Sequence, residues 1–564
     1  MVNWKSKRLE DFLKLAIGLV VVIVLNMIAE EYFVRIDLTE EGRYSIKEPT
    51  KEMLRELDDV VYVEVYLDGE LNAGFKRLKK SIAETLEEFR IYSGRNIQYA
   101  FNDPTLAMSQ KAKGEFMRQL MQQGIQPTNI IDNQDGQRIE RLVFPGALVS
   151  YGGAEKGVML LKGNQSLSAE QKLNQSIENV EYELASAIKE LTSLERKSVG
   201  IVKGHGTLTT LETAGFRNAL NERYNVRDVL INEALNKVDA LILAKPTKPF
   251  TELEKYHLDQ YLMSGGSVLM LIDKLNVNMD SVASEHNFSF PYELNLDDQL
   301  FKYGVRVNSD LVQDNTSGVY PIVVGNMGDQ PQVNLLPWPF FPVINRFADH
   351  PVTKNLNTVL GRFMNSVDTV ALKGVKKTPL LMTSDYSRTV TAPVKVSIQD
   401  LRKNLGPEVF NQQNVPLGWL LEGRFTSLYK NRFKPEGVEE EAFVSESSSK
   451  AKLIVIGDGD LAKNEINPNT GQPQPLGYDP FLNETFANEE LLMNALAYMV
   501  EDAGLILARN KEVKIRPLDS VKVKNEKLKW QMINLVLPIV ALLLFGVVRF
   551  YLRKKKYSKF DTQQ

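Results

Sequence analysis

The chain has 564 residues, 43% hydrophobic and 25% charged, with 68 basic side chains against 71 acidic ones. That length implies about three domains, and a formal net charge of −3 leaves no basic excess to neutralise nucleic-acid phosphates. Cysteine is absent, which excludes disulfides, CxxC redox chemistry, thiolate metal sites and cysteine nucleophiles.

The two ends depart from this average. Residues 15–29 (LAIGLVVVIVLNMIA) carry no charge, and snorkelling of Lys14 extends the run back to Phe12. The resulting segment 12–29 is just long enough for a bilayer helix, which needs about 20 apolar residues. Lys5, Lys7 and Arg8 precede it, while Glu30 and Glu31 follow, so the positive-inside rule puts the tail 1–11 in the cytoplasm. No A-x-A site follows the run, which favours an uncleaved anchor over a signal peptide.

Between the ends, the first segment (35–163) alternates helices and strands. Val60–Leu67 has strand periodicity, and 76–93 places Leu78, Ile82, Leu86 and Phe89 on one helical face. Ile97–Phe101 reads as the next strand and 109–123 as a second helix. A short strand at Ile125–Thr128, containing Pro127, and a hairpin through Leu142–Ser150 and Gly157–Lys162 complete it. The order β-α-β-α-β-β, with a proline before the third strand, resembles a thioredoxin-like domain, without the cysteines for thioredoxin chemistry. A linking helix within 164–196 carries Leu173, Ile177, Val180, Leu184, Ile188 and Leu191 as a near-heptad stripe, read as packing on its own domain rather than as a partner coiled coil.

Residues 197–515 read as a doubly wound α/β domain. Strands are expected at Val199–Lys203, Val226–Ile231, Ala240–Ala244, Val268–Ile272 and Leu453–Ile456, with helices at 212–223 and 251–264. An insertion occupies 274–450, with strand-like pieces at 319–324 and 416–421. The stretches 435–450 and 466–480 read as loops, and no internal repeat is evident. A linker, 516–529, leads to a second apolar run, 530–548, followed by the basic tail 549–564. Pro538 lies inside this run and is tolerated better in a bilayer helix than in a soluble one. Two spans give an in–out–in topology: both termini in the cytoplasm, the bulk outside the membrane.

Ligands of open α/β sheets bind beyond the carboxyl ends of the strands. His205, Gly206 and Thr207 follow the first expected strand and Lys245 the third. Asp273 follows the fourth, and Asp458, Asp460 and Asn464 the last. These eight residues are the candidate ligand-binding crevice. The same residues also read as turn glycines and capping aspartates, and this weighs more heavily. One histidine and scattered carboxylates do not make a metal site, so no metal and no cofactor are expected. The sequence has no GxxxxGK[ST] loop, GxSxG elbow or HExxH helix. A glutamine-amidotransferase-like or flavodoxin-like sheet suits the strand order, but the former's cysteine nucleophile is absent.

Several segments are distinctive together. They are KGHGT at 203–207, DALILAKPTKPFTELEKYHLDQYLMSGG at 239–266, YGVRV at 303–307, HPVTKNLNTVLGRFMNSVDTV at 350–370, LLEGRFTSLY at 420–429 and VIGDGDLAKNE at 455–465. With an apolar run at each end, the chain resembles the GldG-type accessory proteins of gliding-motility ABC transporters, within the ABC-transporter auxiliary-domain family. Thr207 and Gly459 depart from that pattern, which commonly has an acidic residue and a serine there. The resemblance implies a non-catalytic inner-membrane subunit with a periplasmic bulk. Its implied partners are a multi-span permease, a cytoplasmic ATPase and membrane lipid. The alternatives are a periplasmic ligand-binding module and, behind it, a metal-assisted hydrolase using His205, Asp458 and Asp460.

Overall fold

In the computed structural model the described residues are 7–31, 45–103, 110–134, 137–162, 168–193, 196–232, 235, 237–277, 279, 282, 287–327, 330–402, 405–438, 443–448, 451–500, 504–510 and 520–557. Residues 1–6 and 558–564 of the expected tails, 511–519 around the linker, part of the 435–450 loop, and His286 lie outside them. The chain divides into two units, 1–512 and 513–564.

The first unit begins with helices α1 (Lys7–Glu31) and α2 (Glu48–Arg55). Then come β1 (Val61–Val65), α3 (Ala73–Tyr92), β2 (Ile97–Phe101) and α4 (Gln110–Gln122). Next are β3 (Thr128–Gln134), β4 (Gln137–Val143), β5 (Gly146–Tyr151), β6 (Ala154–Met159) and α5 (Ala169–Thr192). A four-stranded sheet has the order β2-β1-β5-β6, with β1 parallel to β2 and the other neighbours antiparallel. Period-two alternation explains β1: Val61, Val63 and Val65 are buried while Tyr62 is exposed. The Asn72 side chain accepts a hydrogen bond from Phe75 N and starts α3. Helical spacing then sends Leu78, Ile82, Leu86 and Phe89 into the same core. A capping box at Ser168 and Gln171 opens α5. Its Leu173, Val180, Leu184 and Ile188 join that core, each worth about 1.5–3 kcal/mol by burial. The expected short strand at Pro127 is corrected here. Thr128–Gln134 pairs only with β4, as a separate ribbon. Pro145, which has no N–H to give a ladder, breaks the expected 142–150 strand, and the sheet resumes at Gly146.

The second sheet is built on β7 (Ser198–Val202), β8 (Asn225–Val229), β9 (Ala240–Ala244), β10 (Ser267–Leu271) and the strand Lys452–Ile456. These run in parallel in the spatial order β8-β7-β9-β10-(Lys452–Ile456). Alternate residues face opposite layers. Ile242, Leu269 and Ile454 meet helices α6 (Ala214–Arg223) and α9 (Asn488–Val500). Leu241, Met270 and Leu453 meet α7 (Glu252–Met263) and α8 (Asp297–Tyr303). The purely parallel sheet expected from the sequence is corrected to a mixed one. Pro416–Gly423, Val375–Met382 and Arg346–Phe347, all from the 274–450 stretch, add three antiparallel strands beyond Lys452–Ile456. The long strands Ser317–Met327 and Gln330–Ile344 pair outside this sheet.

The second unit contains α10 (Ser520–Tyr557), and Asn525–Lys555 within it is long and apolar enough to cross a membrane, with none of its apolar window buried. Among the described residues it is the one such helix; the shorter apolar part of α1 is Phe12–Val24.

Candidate functional site

The strand order reverses between β7 and β9, and loops leave their carboxyl ends there. After β7 the backbone is left-handed at Gly204 (φ 93°), His205 (φ 52°) and Gly206 (φ 67°). His205 O accepts hydrogen bonds from Thr247 N (2.8 Å) and Lys248 N (2.9 Å) in the loop after β9. A Cβ at Gly206 would lie 2.0 Å from Thr247 Oγ1, so only glycine permits this approach. The Thr207 hydroxyl donates back to Val202 O at 3.2 Å. The His205 ring stacks on Phe250 at 3.9 Å. Its Nδ1 faces Pro249 O at 3.1 Å and its Nε2 faces Glu254 Oε1 at 3.1 Å. A carbonyl only accepts, so Nδ1 carries the hydrogen of that contact. Both ring nitrogens are thus engaged away from the aspartates.

A second group lies at the ends of β9, β10 and Lys452–Ile456. Lys245, itself left-handed (φ 53°), holds Nζ between Asp273 Oδ2 (2.9 Å) and Asp460 Oδ2 (2.5 Å). Asp273 Oδ1 accepts from Gly459 N. Asp458 is fully buried and accepts from Asp460 N and Arg362 N, both at 2.8 Å. A Cβ at Gly459 would lie 2.5 Å from Lys245 Cβ, so glycine is a packing requirement at this position. Burial works against the Lys245 ammonium, but the flanking carboxylates outweigh it and raise its pKa. Burial also raises Asp273, against the pull of Lys245. Asp458 is pushed well up by burial and by the charges of Asp273 and Asp460. For Asp460 burial is outweighed by Lys245, and the carboxyl is held below its ordinary value.

The structure therefore brings Lys245, Asp273 and Asp460 together, with Asp458 bonded to the Asp460 backbone. His205, Gly206 and Thr207 form their own hydrogen-bonded loop. Asn464 belongs to neither group: its Oδ1 accepts from Gly215 N (2.9 Å) in the first turn of α6. Among the described residues no group of three histidine, aspartate or glutamate side chains is placed to hold a metal ion. None of the eight lines the open cleft that lies nearby. That cleft, of about 720 Å³, is bordered by Lys274, α8, residues 306–309, Leu428, Asn431 and Arg432. Sequence reasoning missed it, although Arg306 lies in the YGVRV segment singled out for its resemblance.

A family model described as an ABC-type uncharacterized transport system matches residues 196–495. Another, for a domain of unknown function, matches 40–150. An uncharacterized protein of Borreliella burgdorferi is 20% identical over 559 residues, covering 97% of this chain and 98% of the relative. Among solved structures, the mmIFT52 N-terminal domain aligns at 15% identity over 54% of this chain and 98% of that one, with a TM-score of 0.31. Alpha-L-fucosidase isoenzyme 2 from Paenibacillus thiaminolyticus aligns at 11% identity over 59% of this chain and 37% of that one, with a TM-score of 0.22. Neither score carries a fold or a function across.

Proposed function

The chain belongs to the family of ABC-type uncharacterized transport systems, and from that premise we propose that it is a non-catalytic accessory subunit whose external domains bind or scaffold partners. A separate multi-span permease supplies the path and a separate cytoplasmic ATPase the energy. The observation that carries this reading is α10. Its lipid-length apolar stretch, unburied within the chain, supports membrane association of a transport-family protein. The finer reading is a two-pass protein of the bacterial inner membrane with α1 as the other anchor. The basic residues Lys5, Lys7 and Arg8 before the apolar run of α1, and those that close α10, support cytoplasmic termini. The domains are then 35–163, thioredoxin-like in strand order, the linking helix within 164–196, and the doubly wound 197–515. The GldG-type resemblance extends the role to gliding motility. Engagement of His205 by Pro249 and Glu254, and of Lys245 by two aspartates, supports a structural role for the strand ends rather than a catalytic one.

The test is affinity purification of the tagged full chain from its own cells in mild detergent. Co-elution of a multi-span permease and an ATPase is expected. Recovery of the chain alone, with normal motility in a deletion strain, would overturn the proposal. A second reading, a ligand-binding module, is favoured by the open cleft beside α8.

A further inference from the structure

Asp273 and Lys274 are consecutive, and their side chains serve different places. Asp273 faces Lys245, whereas Lys274 borders the cleft of about 720 Å³. That volume is within the usual range for small-molecule sites. The lining contains four cations, Lys274, Lys302, Arg306 and Arg432, but only two carboxylates, Asp297 and Asp298. Both carboxylates are already paired. Asp297 accepts from Lys274 Nζ through both oxygens, at 2.7 and 2.8 Å. Asp298 is shared between Lys255 (2.8 Å) and Arg432 (2.6 Å). Arg306 pairs with Asp368 at 2.8 Å. With the outer partners Lys255, its second carboxylate Glu252 (3.0 Å) and Asp368 included, five cations meet four carboxylates, so positive charge is in excess by one. Among the described residues Lys302 has no carboxylate partner. Beside it the Phe301 side chain lies on the cleft wall, with the residue 55% exposed to water.

Deepening the ligand-binding reading, on which it rests, we propose that this cleft binds a small amphiphilic anion: a carboxylate or phosphate ester carrying a planar apolar group. The anionic end lies among Lys302, Arg306 and Arg432, and the apolar end covers Phe301. Guanidinium forks match carboxylate and phosphate oxygens in pairs. The Arg306–Asp368 and Arg432–Asp298 bridges are partly solvated, so exchanging them for a ligand anion costs little. Covering Phe301 removes apolar surface from water.

Calorimetric titration of the detergent-solubilised full chain with phenyl phosphate and with benzoate tests this, with neutral benzyl alcohol for comparison. Saturable one-site binding of the anions, weakened by salt, is expected, with none for the alcohol. Lys302→Ala combined with Arg306→Ala should weaken anion binding by about tenfold or more. Phe301→Ala should weaken phenyl phosphate while sparing inorganic phosphate. Phe301 and Arg306 are exposed and Lys302 is partly so, and circular dichroism checks that each variant keeps its fold. No saturable binding of either anion, equal binding of the alcohol, or undiminished binding in the double variant would overturn the inference. Each of these results leaves the co-purification test untouched.

Discussion

Glu181 and Tyr182, consecutive on α5, hold segments from opposite ends of the first unit. Glu181 Oε1 accepts from Lys47 N (2.6 Å) and from the Thr50 hydroxyl (2.8 Å), at the start of α2. The Tyr182 ring lies under the Arg509 guanidinium at 5.2 Å, in the last described turn before residue 512. The first described stretch after α1 and the last before α10 thus meet one turn of one helix.

Arg509 should be the most sensitive residue of this junction. It is 1% exposed and donates to Asn494 Oδ1 (2.9 Å), Lys354 O (2.7 Å) and Glu490 Oε1 (3.1 Å). For Glu490 burial is outweighed by Arg509 and Lys162, so its carboxyl is held below the ordinary value. Arg509→Met removes the cation bonded to that carboxylate and leaves it Lys162, and a loss of about 1.5–3 kcal/mol is expected in urea denaturation. Adding Glu490→Met should recover part of the loss; no recovery would mean that packing, not charge, dominates.

Gly206→Ala and Gly459→Ala test whether the strand ends are closed by contact. The added methyl would meet Thr247 Oγ1 in the first and Lys245 Cβ in the second. A destabilisation of about 1–3 kcal/mol is expected in each, larger at Gly206 where φ is also positive. An unchanged melting temperature would show that the loops have room.

The aspartate cluster should leave a signature in pH. The folded pKa of Asp460 is lowered, so its contribution is present above the unfolded carboxylate value and lost as pH falls. Asp458 is raised by burial and by its carboxylate neighbours, so stability falls as pH rises from the unfolded carboxylate value through that raised one. Asp458→Asn should abolish the second slope in denaturation midpoints followed from mild acid to neutrality. It should also cost about 1–3 kcal/mol at every pH, because asparagine offers one acceptor oxygen to two N–H donors. Persistence of the slope would assign it to Asp273.

His350 adds an acid-side transition. Burial pushes its pKa down to about 4 from 6.5. Its Nδ1 accepts from Val352 N at 3.3 Å, and its ring meets Tyr498 edge-on at 4.6 Å. The native state binds fewer protons than the unfolded chain, so stability present above 6.5 is lost as pH falls toward 4. The loss amounts to about 3 kcal/mol. NMR titration of the His350 ring and a flatter acid profile in His350→Gln would verify this; a ring titrating at the ordinary histidine value would refute it.

The parallel strands were legible because both faces are covered. ALILA, VLMLI and LIVI are near-continuous apolar runs, as strands buried on both sides must be. The piece at 416–421 was legible as a strand, but its antiparallel pairing with Lys452–Ile456 is a tertiary fact that local periodicity does not encode. The convergence of Lys245, Asp273 and Asp460 followed from topology. Their closure did not, because it depends on how near Gly459 comes to Lys245. The cleft was hidden because Lys274 and Arg432 lie far along the chain from the neighbouring Lys302 and Arg306, and no local pattern links the three segments.

Leu269 sits beside Ile454 in the middle of the main sheet, although the chain from Ile272 to Ala451 is made between them. A polypeptide synthesised from its N-terminus therefore completes β7, β8, β9 and β10 long before β10 receives its neighbour. During that interval the backbone edge of SVLML is unpaired, and such an edge is a template for pairing with another chain. Closing a sheet over so long a separation is also slow. The nascent protein thus has a built-in waiting period that invites chaperone protection. Chains terminated before Lys452 should collect as aggregates instead of as shortened, folded proteins.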